Sequence, residues 1–111
     1  MNLTSIEIVK RIQAAIKPWD EFMVEKRMFG GNCFLYKGKM CIGETKQRLM
    51  VRVVSEKMQE ALEMPDVTPM DFTGKSMKEF IFVSEKGFDT ELKLQKWIEL
   101  GIEHAIIKSN I

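Results

Sequence analysis

Gly30 and Gly31 follow the basic residues Lys26 and Arg27 in the stretch KRMFGGNCFLYKGKMCIG, residues 26–43. A glycine pair beside basic side chains is a candidate phosphate site, since the backbone amides of glycine-rich loops bind phosphate where a helix begins. The residues after Gly31 read as a strand, however, and neither GxGxxG nor GxxxxGK[ST] occurs in the chain. We therefore interpret the glycines as positions that permit positive φ or a bulge where the first strand turns.

Cys33 and Cys41 are the two cysteines of the chain, and they flank the Lys37-Gly38 pair. Glycine at the second central position favours a two-residue type I′ turn, in which Phe34 would pair with Cys41. Because side chains alternate along a strand, this register would place the two sulfur atoms on opposite faces of the sheet. We therefore expect two free thiols.

His104 is the single histidine and the one imidazole that could serve as a base for a cysteine nucleophile. On the last predicted helix it lies next to Trp97 at the border of the apolar stripe, where a histidine more often packs than catalyses. The cysteines and His104 also lack the C-x-x-C spacing and the ligand number of a zinc site. We predict no enzymatic activity, no metal and no cofactor.

Arg48, Met50 and Arg52 share one face of a predicted strand. The neighbouring strands add Lys26, Arg27, Lys37 and Lys39. Such a face, with the aromatic rings of Phe34 and Tyr36 nearby, is a candidate surface for a protein partner, for single-stranded nucleic acid or for another polyanion. The formal net charge of +1 at pH 7 favours a solvated outer face, so nucleic-acid binding is the alternative function.

Nine methionines are a high count, and methionine adapts both to irregular cores and to versatile binding surfaces. We expect most of them in the core. Six gather around the predicted strands and the segment that follows, which leaves room for a partner-binding groove: Met28, Met40, Met50, Met64, Met70 and Met77.

A first helix and a group of strands occupy the N-terminal half of the chain. Thr4 and Glu7 form a capping-box signal, and Pro18 ends the helix that follows. Residues 24–54 show the two-residue period of about three antiparallel strands. A short helix then begins with Ser55 as its N-cap.

The C-terminal half contains further strand signals and a long amphipathic helix. After Pro65 the segment DVTPMDFTGKS is irregular in pattern, Pro69 and Gly74 mark loop or edge positions within it, and MKEFIFV is strand-like. The last helix begins near Asp89 or Thr90. Its buried arc holds Leu94, Trp97, Ile98, Gly101, Ile102 and Ala105. Glycine costs roughly 1 kcal/mol inside a helix relative to alanine, so Gly101 indicates a close approach to the sheet.

The order α-β-β-β-α-β(β)-α predicts an α+β fold in two layers, with helices packed on an antiparallel sheet of about five strands. The length of 111 residues indicates one domain over residues 1–111. No apolar run is long enough for a signal peptide or a membrane span, so we expect a cytoplasmic protein with no membrane partner.

KRMFGG, YKGKMC, RLMVRV and FIFV occur in this order, together with Pro69 and the Trp97-bearing last helix. This series resembles the N-terminal domain of the TfoX/Sxy family over essentially the whole chain. Its most specific positions are Arg27, Met28, Phe29, Gly30, Gly31, Gly38, Lys39, Met40, Gly74, Lys75 and Met77.

The resemblance implies an α+β fold like that of type III secretion chaperones. In full-length relatives this domain precedes a second, helical domain, and the pair regulates natural competence by promoting transcription through the cyclic-AMP receptor protein. The present sequence ends at Ile111, directly after the last helix, so we expect a stand-alone member without that second domain. The resemblance supplies no catalytic residues. It implies a regulatory or adaptor domain that acts through contacts with a protein partner. A second copy of the same chain is one such partner.

Overall fold

Three helices and six strands make up the part of the chain that the computed structural model describes, residues 3–72 and 75–109. In chain order they are α1 (Ser5–Ala15), β1 (Met23–Met28), β2 (Gly31–Tyr36), β3 (Lys39–Thr45), β4 (Arg48–Arg52), α2 (Ser55–Leu62), β5 (Val67–Phe72), β6 (Lys75–Val83) and α3 (Glu91–Ser109). Short 3₁₀ turns, Lys17–Phe22 and Glu85–Phe88, precede β1 and α3.

The strands form an open antiparallel sheet in the order β1-β2-β3-β4-β6-β5. The α+β class and the order of elements are confirmed, with six strands among the described residues instead of about five. Residues 23–52 hold four strands rather than about three. The second strand that the sequence left open for the C-terminal half is β5, which contains Pro69. Pro69 is tolerated there because β5 is an edge strand. An edge strand has no neighbour on its outer side, so no hydrogen bond is lost there when the N–H is missing.

Three two-residue hairpin turns connect β1 to β4. Both central residues of each turn have positive φ, as type I′ geometry requires: Phe29 (56°) and Gly30 (75°), Lys37 (49°) and Gly38 (85°), Lys46 (51°) and Gln47 (65°). Gly31 lies at the start of β2, where any Cβ would overlap the carbonyl oxygen of Glu44 on β3. The interpretation of the glycine pair as a feature of the sheet is confirmed.

The helix ends follow the sequence signals with one exception. Thr4 Oγ1 accepts a hydrogen bond from Glu7 N at 3.1 Å, and Glu7 Oε1 accepts one from Thr4 N at 2.9 Å, which completes the predicted capping box. The prediction of Ser55 as the N-cap of α2 is wrong, since Val54 is the cap residue and has no side-chain cap bond. The Ser55 hydroxyl instead donates to Glu79, a residue that lies far away in the sequence.

A helix-side core lies between the sheet and the helices α1 and α3. The predicted arc of α3 is buried throughout, from Leu94 to Ala105. Gly101 makes the close approach that its position indicated, because an added Cβ would overlap the carbonyl oxygen of Cys41 on β3. The helix backbone therefore rests directly on a central strand.

A second buried cluster occupies the opposite face of the sheet, and we call it the methionine cluster. It consists of Cys33, Leu35, Met40, Met50, Met70, Phe80 and Phe82, with Met28, Phe29 and Met77 packed against them. The ring of Phe29, in the β1–β2 turn, lies 5.7 Å from that of Phe80 on β6. In a flat sheet β3 and β4 would hold β2 roughly 14 Å from β6. Side chains that lie along the sheet cover most of that distance, and the contact links the first turn to β6 across the methionine cluster.

Candidate functional site

Most of the described motif positions lie at the hairpin turns and in the methionine cluster. Arg27 to Gly31 form the end of β1 and the first turn, and Gly38 to Met40 form the second turn and the start of β3. Met28, Phe29, Met40 and Met77 contribute side chains to the methionine cluster, although they are far apart in the sequence. Lys75 opens β6, and Gly74 lies outside the described residues. In this structure the motif residues shape turns and fill a core.

The face that carries Arg48, Met50 and Arg52 is covered rather than solvated. Met50 is fully buried. The guanidinium of Arg48 lies 3.7 Å from the ring centroid of Phe82, and that of Arg52 lies 4.3 Å from the centroid of Phe80. These cation–π contacts spread both arginines over the aromatic members of the methionine cluster. The expectation of a solvated outer face is therefore wrong, because side chains from neighbouring strands cover one another there.

Two of the other cations proposed for the same surface, Arg27 and Lys37, have local partners. Arg27 donates to Asn32 Oδ1 at 2.8 Å, and the Lys37 amine lies 4.9 Å from the ring centroid of Phe22. Glu25 accepts from Asn32 at 3.0 Å, which adds an acidic group beside Arg27. At Arg27 and Lys37 a polyanion would meet contacts already made, whereas Lys26 and Lys39 are exposed and form no ion pair among the described residues.

Both thiols are buried, free and on opposite faces of the sheet. Cys33 belongs to the methionine cluster and Cys41 to the helix-side core. The predicted pairing of Phe34 with Cys41 is wrong, since Phe34 pairs with Ile42 and the register shifts by one residue beside Cys41. Burial raises the pKa of Cys33 to about 11 and that of Cys41 to about 12. Neither thiol is a thiolate near neutral pH, which disfavours a nucleophilic role.

A polar cluster that sequence reasoning missed surrounds Glu79 on β6, which has φ of 63°. Its Oε1 lies 3.0 Å from His104 Nε2, and its Oε2 accepts from the Ser55 hydroxyl at 2.7 Å. The hydrogen bonds from His104 and Ser55 lower the pKa of Glu79 to about 2. Arg52 and Lys108 approach the same carboxylate at 3.9 and 3.8 Å. The cluster ties β4 and β6 to both α2 and α3.

The Glu79 cluster has the residue types of a hydrolase triad but not its arrangement. In a triad the imidazole lies between the hydroxyl and the carboxylate, whereas here the carboxylate accepts from both Ser55 and His104. His104 itself is almost fully buried, as a packing histidine would be. The only signal of this cluster in the sequence was the single histidine near the end of the apolar arc. The strand pattern around Glu79 did not indicate the irregularity at which its backbone has positive φ.

A groove lies between α2 and α3 and is closed below by the Glu85–Phe88 turn. Its volume is about 470 Å³, and its lining is Lys57, Glu60, Ala61, Met64, Pro65, Asp66, Lys86, Gly87, Lys93, Lys96, Trp97 and Leu100. We call this set the groove. Its size falls in the range of about 300–1,000 Å³ that is typical of binding pockets.

The groove has an apolar floor with an open wall. Trp97 and Ala61 are buried at its base, whereas Met64 in the wall is 47% exposed. The indole nitrogen of Trp97 donates to Gly87 O at 2.8 Å, which fixes the ring across the floor. Gly87 itself has no room for a side chain, because an added Cβ would lie 2.5 Å from Val83 Cγ1. The floor is thus held in place by the protein rather than by a ligand.

An ion pair between Lys57 Nζ and Glu103 Oε1, 2.9 Å apart, bridges α2 and α3. Beyond α2, Asp66 O accepts from Ser84 N at 2.9 Å, next to the turn that carries Gly87. The helices therefore pass in opposite directions along the groove.

Sequence reasoning missed this site because its two walls are more than thirty residues apart. The available signal was the helical spacing of Lys93, Lys96 and Leu100, because Lys93 lies two turns and Lys96 one turn before Leu100.

Other classes of site are not found within the described residues. No group of three or more His, Cys, Asp or Glu side chains there could hold a metal ion. No described helix is long and apolar enough to cross a bilayer.

A family model, the TfoX N-terminal domain, matches residues 16–105. The match spans most of the chain, from the end of α1 to the last turns of α3, and the chain belongs to this family. No curated protein matches it.

Proposed function

We propose that this domain is a non-enzymatic regulatory or adaptor domain of the TfoX N-terminal type, which acts in the cytoplasm through protein–protein contacts. The process in which the domain takes part is transcriptional regulation related to competence, which is the role that the family resemblance implies. Family membership supports the type of domain. The groove is the observation that carries the mode of action.

The groove supports protein contact because it presents apolar side chains to solvent in a concave surface. Met64 in its wall is 47% exposed, and Leu62, the last residue of α2, lies outside the lining but is also more than one third exposed. A fixed floor with an exposed apolar wall is the form in which one protein receives side chains from another. The buried thiols with raised pKa values and the inverted order of the Glu79 cluster support a non-enzymatic role.

Affinity capture from cells of the native organism, followed by mass spectrometry, tests the proposal. We compare the natural chain with Met64→Arg, which places a charge in the groove wall, and with Leu92→Arg as a matched control. Leu92 is an exposed leucine of α3 that does not line the groove. The natural chain and Leu92→Arg should retain the same protein, and Met64→Arg should lose it.

Sedimentation of the isolated protein completes the test, because a second copy of the chain is one partner that the proposal allows. A natural chain that captures no specific protein and stays monomeric at high concentration would overturn the adaptor role.

A further inference from the structure

Few apolar contacts hold α2, the helix that forms one wall of the groove. Of its eight residues one, Ala61, is buried, and Met58 is partly buried against the helix-side core. Its cap residue, Val54, makes no side-chain cap bond. Isolated helices shorter than about 12–15 residues are marginally stable in water, so α2 depends on its contacts with the rest of the protein.

The opposite wall, α3, is held over most of its length. The arc from Leu94 to Ala105 is buried, and Gly101 brings the helix backbone against β3. The floor residue Trp97 belongs to this arc, and its ring nitrogen donates to Gly87 O. Local opening of a protein takes place where buried apolar contacts are few, so the two walls of the groove should differ in local stability.

Two polar contacts fasten the first turn of α2, and we call them the α2 anchor. The Ser55 hydroxyl donates to Glu79 Oε2 on β6 at 2.7 Å. The Lys57 amine donates to both carboxylate oxygens of Glu103 on α3, at 2.9 and 3.1 Å. Hydrogen bonds to ionised groups contribute more to stability than those between neutral groups. Because Ala61 is the one buried residue of α2, the α2 anchor is a large part of what holds this helix.

The Glu79 carboxylate does not depend on Ser55 for its position. Its other oxygen, Oε1, lies 3.0 Å from His104 Nε2 on α3, and Arg52 on β4 approaches the same oxygen at 3.9 Å. Loss of the Ser55 bond therefore leaves β4, β6 and α3 joined through Glu79. The contacts of this cluster thus allow α2 to leave while the rest of the cluster stays in place.

We propose that α2 is a movable wall, which opens away from α3 while α1, α3 and the sheet stay folded, and that the α2 anchor sets how often it opens. Ala61 and Trp97 both line the base of the groove, and Trp97 is 4% exposed. Opening of α2 therefore uncovers the indole ring and enlarges the groove beyond its closed volume of about 470 Å³. The movement is a property of the fold, whereas its use, which is to admit larger apolar side chains of a partner, rests on the proposed adaptor function.

Hydrogen–deuterium exchange of the full chain, followed by peptide mass spectrometry, measures this opening. Expressed as protection factors, the hydrogen-bonded amides of α2 should exchange roughly 10-fold or more faster than those of the buried arc of α3. Ser55→Ala should accelerate exchange in α2 by about another 10-fold and leave the amides of α3 unchanged. Because alanine is the better helix former, helix propensity would act in the opposite direction.

Two results of this measurement would overturn the inference. One is equal protection of α2 and α3 in the natural chain, which would show that α2 opens only when the whole protein unfolds. The other is a Ser55→Ala variant in which both helices exchange faster by the same factor, or in which neither does.

A second anchor variant and a matched control come from the same helix. Lys57→Gln removes the ion pair with Glu103 and should also accelerate exchange in α2. Gln59→Ala truncates an exposed side chain of α2 outside the α2 anchor and should not accelerate it. Equal acceleration by Gln59→Ala and by the anchor variants would mean that any change in α2 has this effect, which would overturn the role of the α2 anchor.

A cysteine on the inner side of α2 shows whether the opening uncovers the floor. Ala61→Cys introduces a small thiol at a buried position, and peptide mass spectrometry distinguishes its label from labels on the natural cysteines. A thiol reagent should label it about 10-fold faster when Ser55→Ala is added. Equal labelling rates with and without Ser55→Ala would show that the α2 anchor does not control access to the floor.

The exchange measurement needs no partner, so its outcome is separate from that of the capture experiment. If α2 exchanges no faster than α3 and the natural chain still captures a protein, the movable wall fails and the adaptor role stands. If the natural chain captures no specific protein and stays monomeric, the adaptor role fails, and the movement of α2 is decided by its exchange alone.

Discussion

Replacing Gly101 with alanine tests the closest contact between helix and sheet. In an exposed helix this change stabilises by roughly 1 kcal/mol, because alanine has the higher helix propensity. Here the new Cβ would overlap the carbonyl oxygen of Cys41 and would lie 2.9 Å from its carbonyl carbon and 3.2 Å from its Cβ. All three atoms belong to a central strand, so relief requires α3 to move away from β3.

The cost of that movement decides the sign of the effect. α3 buries Trp97, Ile98 and Ile102 against the sheet, and shifting these side chains is an overpacking change, which typically costs 1–3 kcal/mol, occasionally more. Because the overlapped atoms are backbone atoms, we take the upper part of that range and subtract the gain in propensity. We expect Gly101→Ala to lower the free energy of unfolding by about 2 kcal/mol and the thermal midpoint by about 10 °C.

Urea unfolding followed by far-UV circular dichroism measures this loss. The exposed position Glu99 provides the control, because Glu99→Ala and Glu99→Gly compare alanine with glycine in the same helix without a contact to the sheet. There alanine should be the more stable by roughly 0.5–1 kcal/mol. If Gly101→Ala were as stable as the natural chain or more so, the close approach of α3 to β3 would be refuted.

Three further predictions follow from the polar and buried groups. The pKa of Glu79 is lowered from 4.5 to about 2, so the stability that its carboxylate adds to the fold is present above pH 4.5 and is lost as the pH falls toward 2. Allowing for solvent screening, Glu79→Gln should lower the free energy of unfolding by about 1–2 kcal/mol at pH 7, as measured by urea unfolding. A difference between the two proteins that persists at pH 2 would contradict an origin in the Glu79 charge. Cys33 and Cys41 should react slowly with a thiol reagent in the native protein. After unfolding without reductant the reagent should count two thiols. Rapid labelling of the native protein would contradict the raised pKa values of the two cysteines. Arg48→Ala should lower the free energy of unfolding by about 0.5–1 kcal/mol, because the stack of the guanidinium on Phe82 is lost. Thermal unfolding measures this change, and an unchanged midpoint would mean that the contact contributes nothing to stability.

Local signals in the sequence predicted the parts of the fold that depend on neighbouring residues. The capping box at Thr4 and the turn at Lys37-Gly38 each involve groups a few residues apart, so their chemistry is visible in a short window. The buried arc of α3 is equally local, since it follows from a repeated spacing within one helix. Gly101 extended this reasoning to tertiary structure, because a costly residue within that arc required a compensating contact.

Features that depend on long-range contacts were not predicted. The pattern of residues 67–72 left both a loop and an edge strand open, because proline and polar residues are compatible with either, and only the pairing of β5 with β6 shows the edge strand. The alternation of Arg48, Met50 and Arg52 correctly gave one face of β4, but the burial of that face depends on side chains from other strands that pack beside Met50. The groove likewise joins α2 to a helix that begins about thirty residues later.

The burial of both sheet faces limits how a partner can bind. The helix-side core occupies one face and the methionine cluster the other, so apolar side chains of the central strands are inaccessible without unfolding. Addition of a strand would use an edge, but β1 presents the exposed charges of Glu25, Lys26 and Arg27, and β5 contains Pro69. Edge charges and proline are the features that oppose such pairing. Binding in the groove avoids both obstacles, because it requires neither a free sheet edge nor the opening of a core.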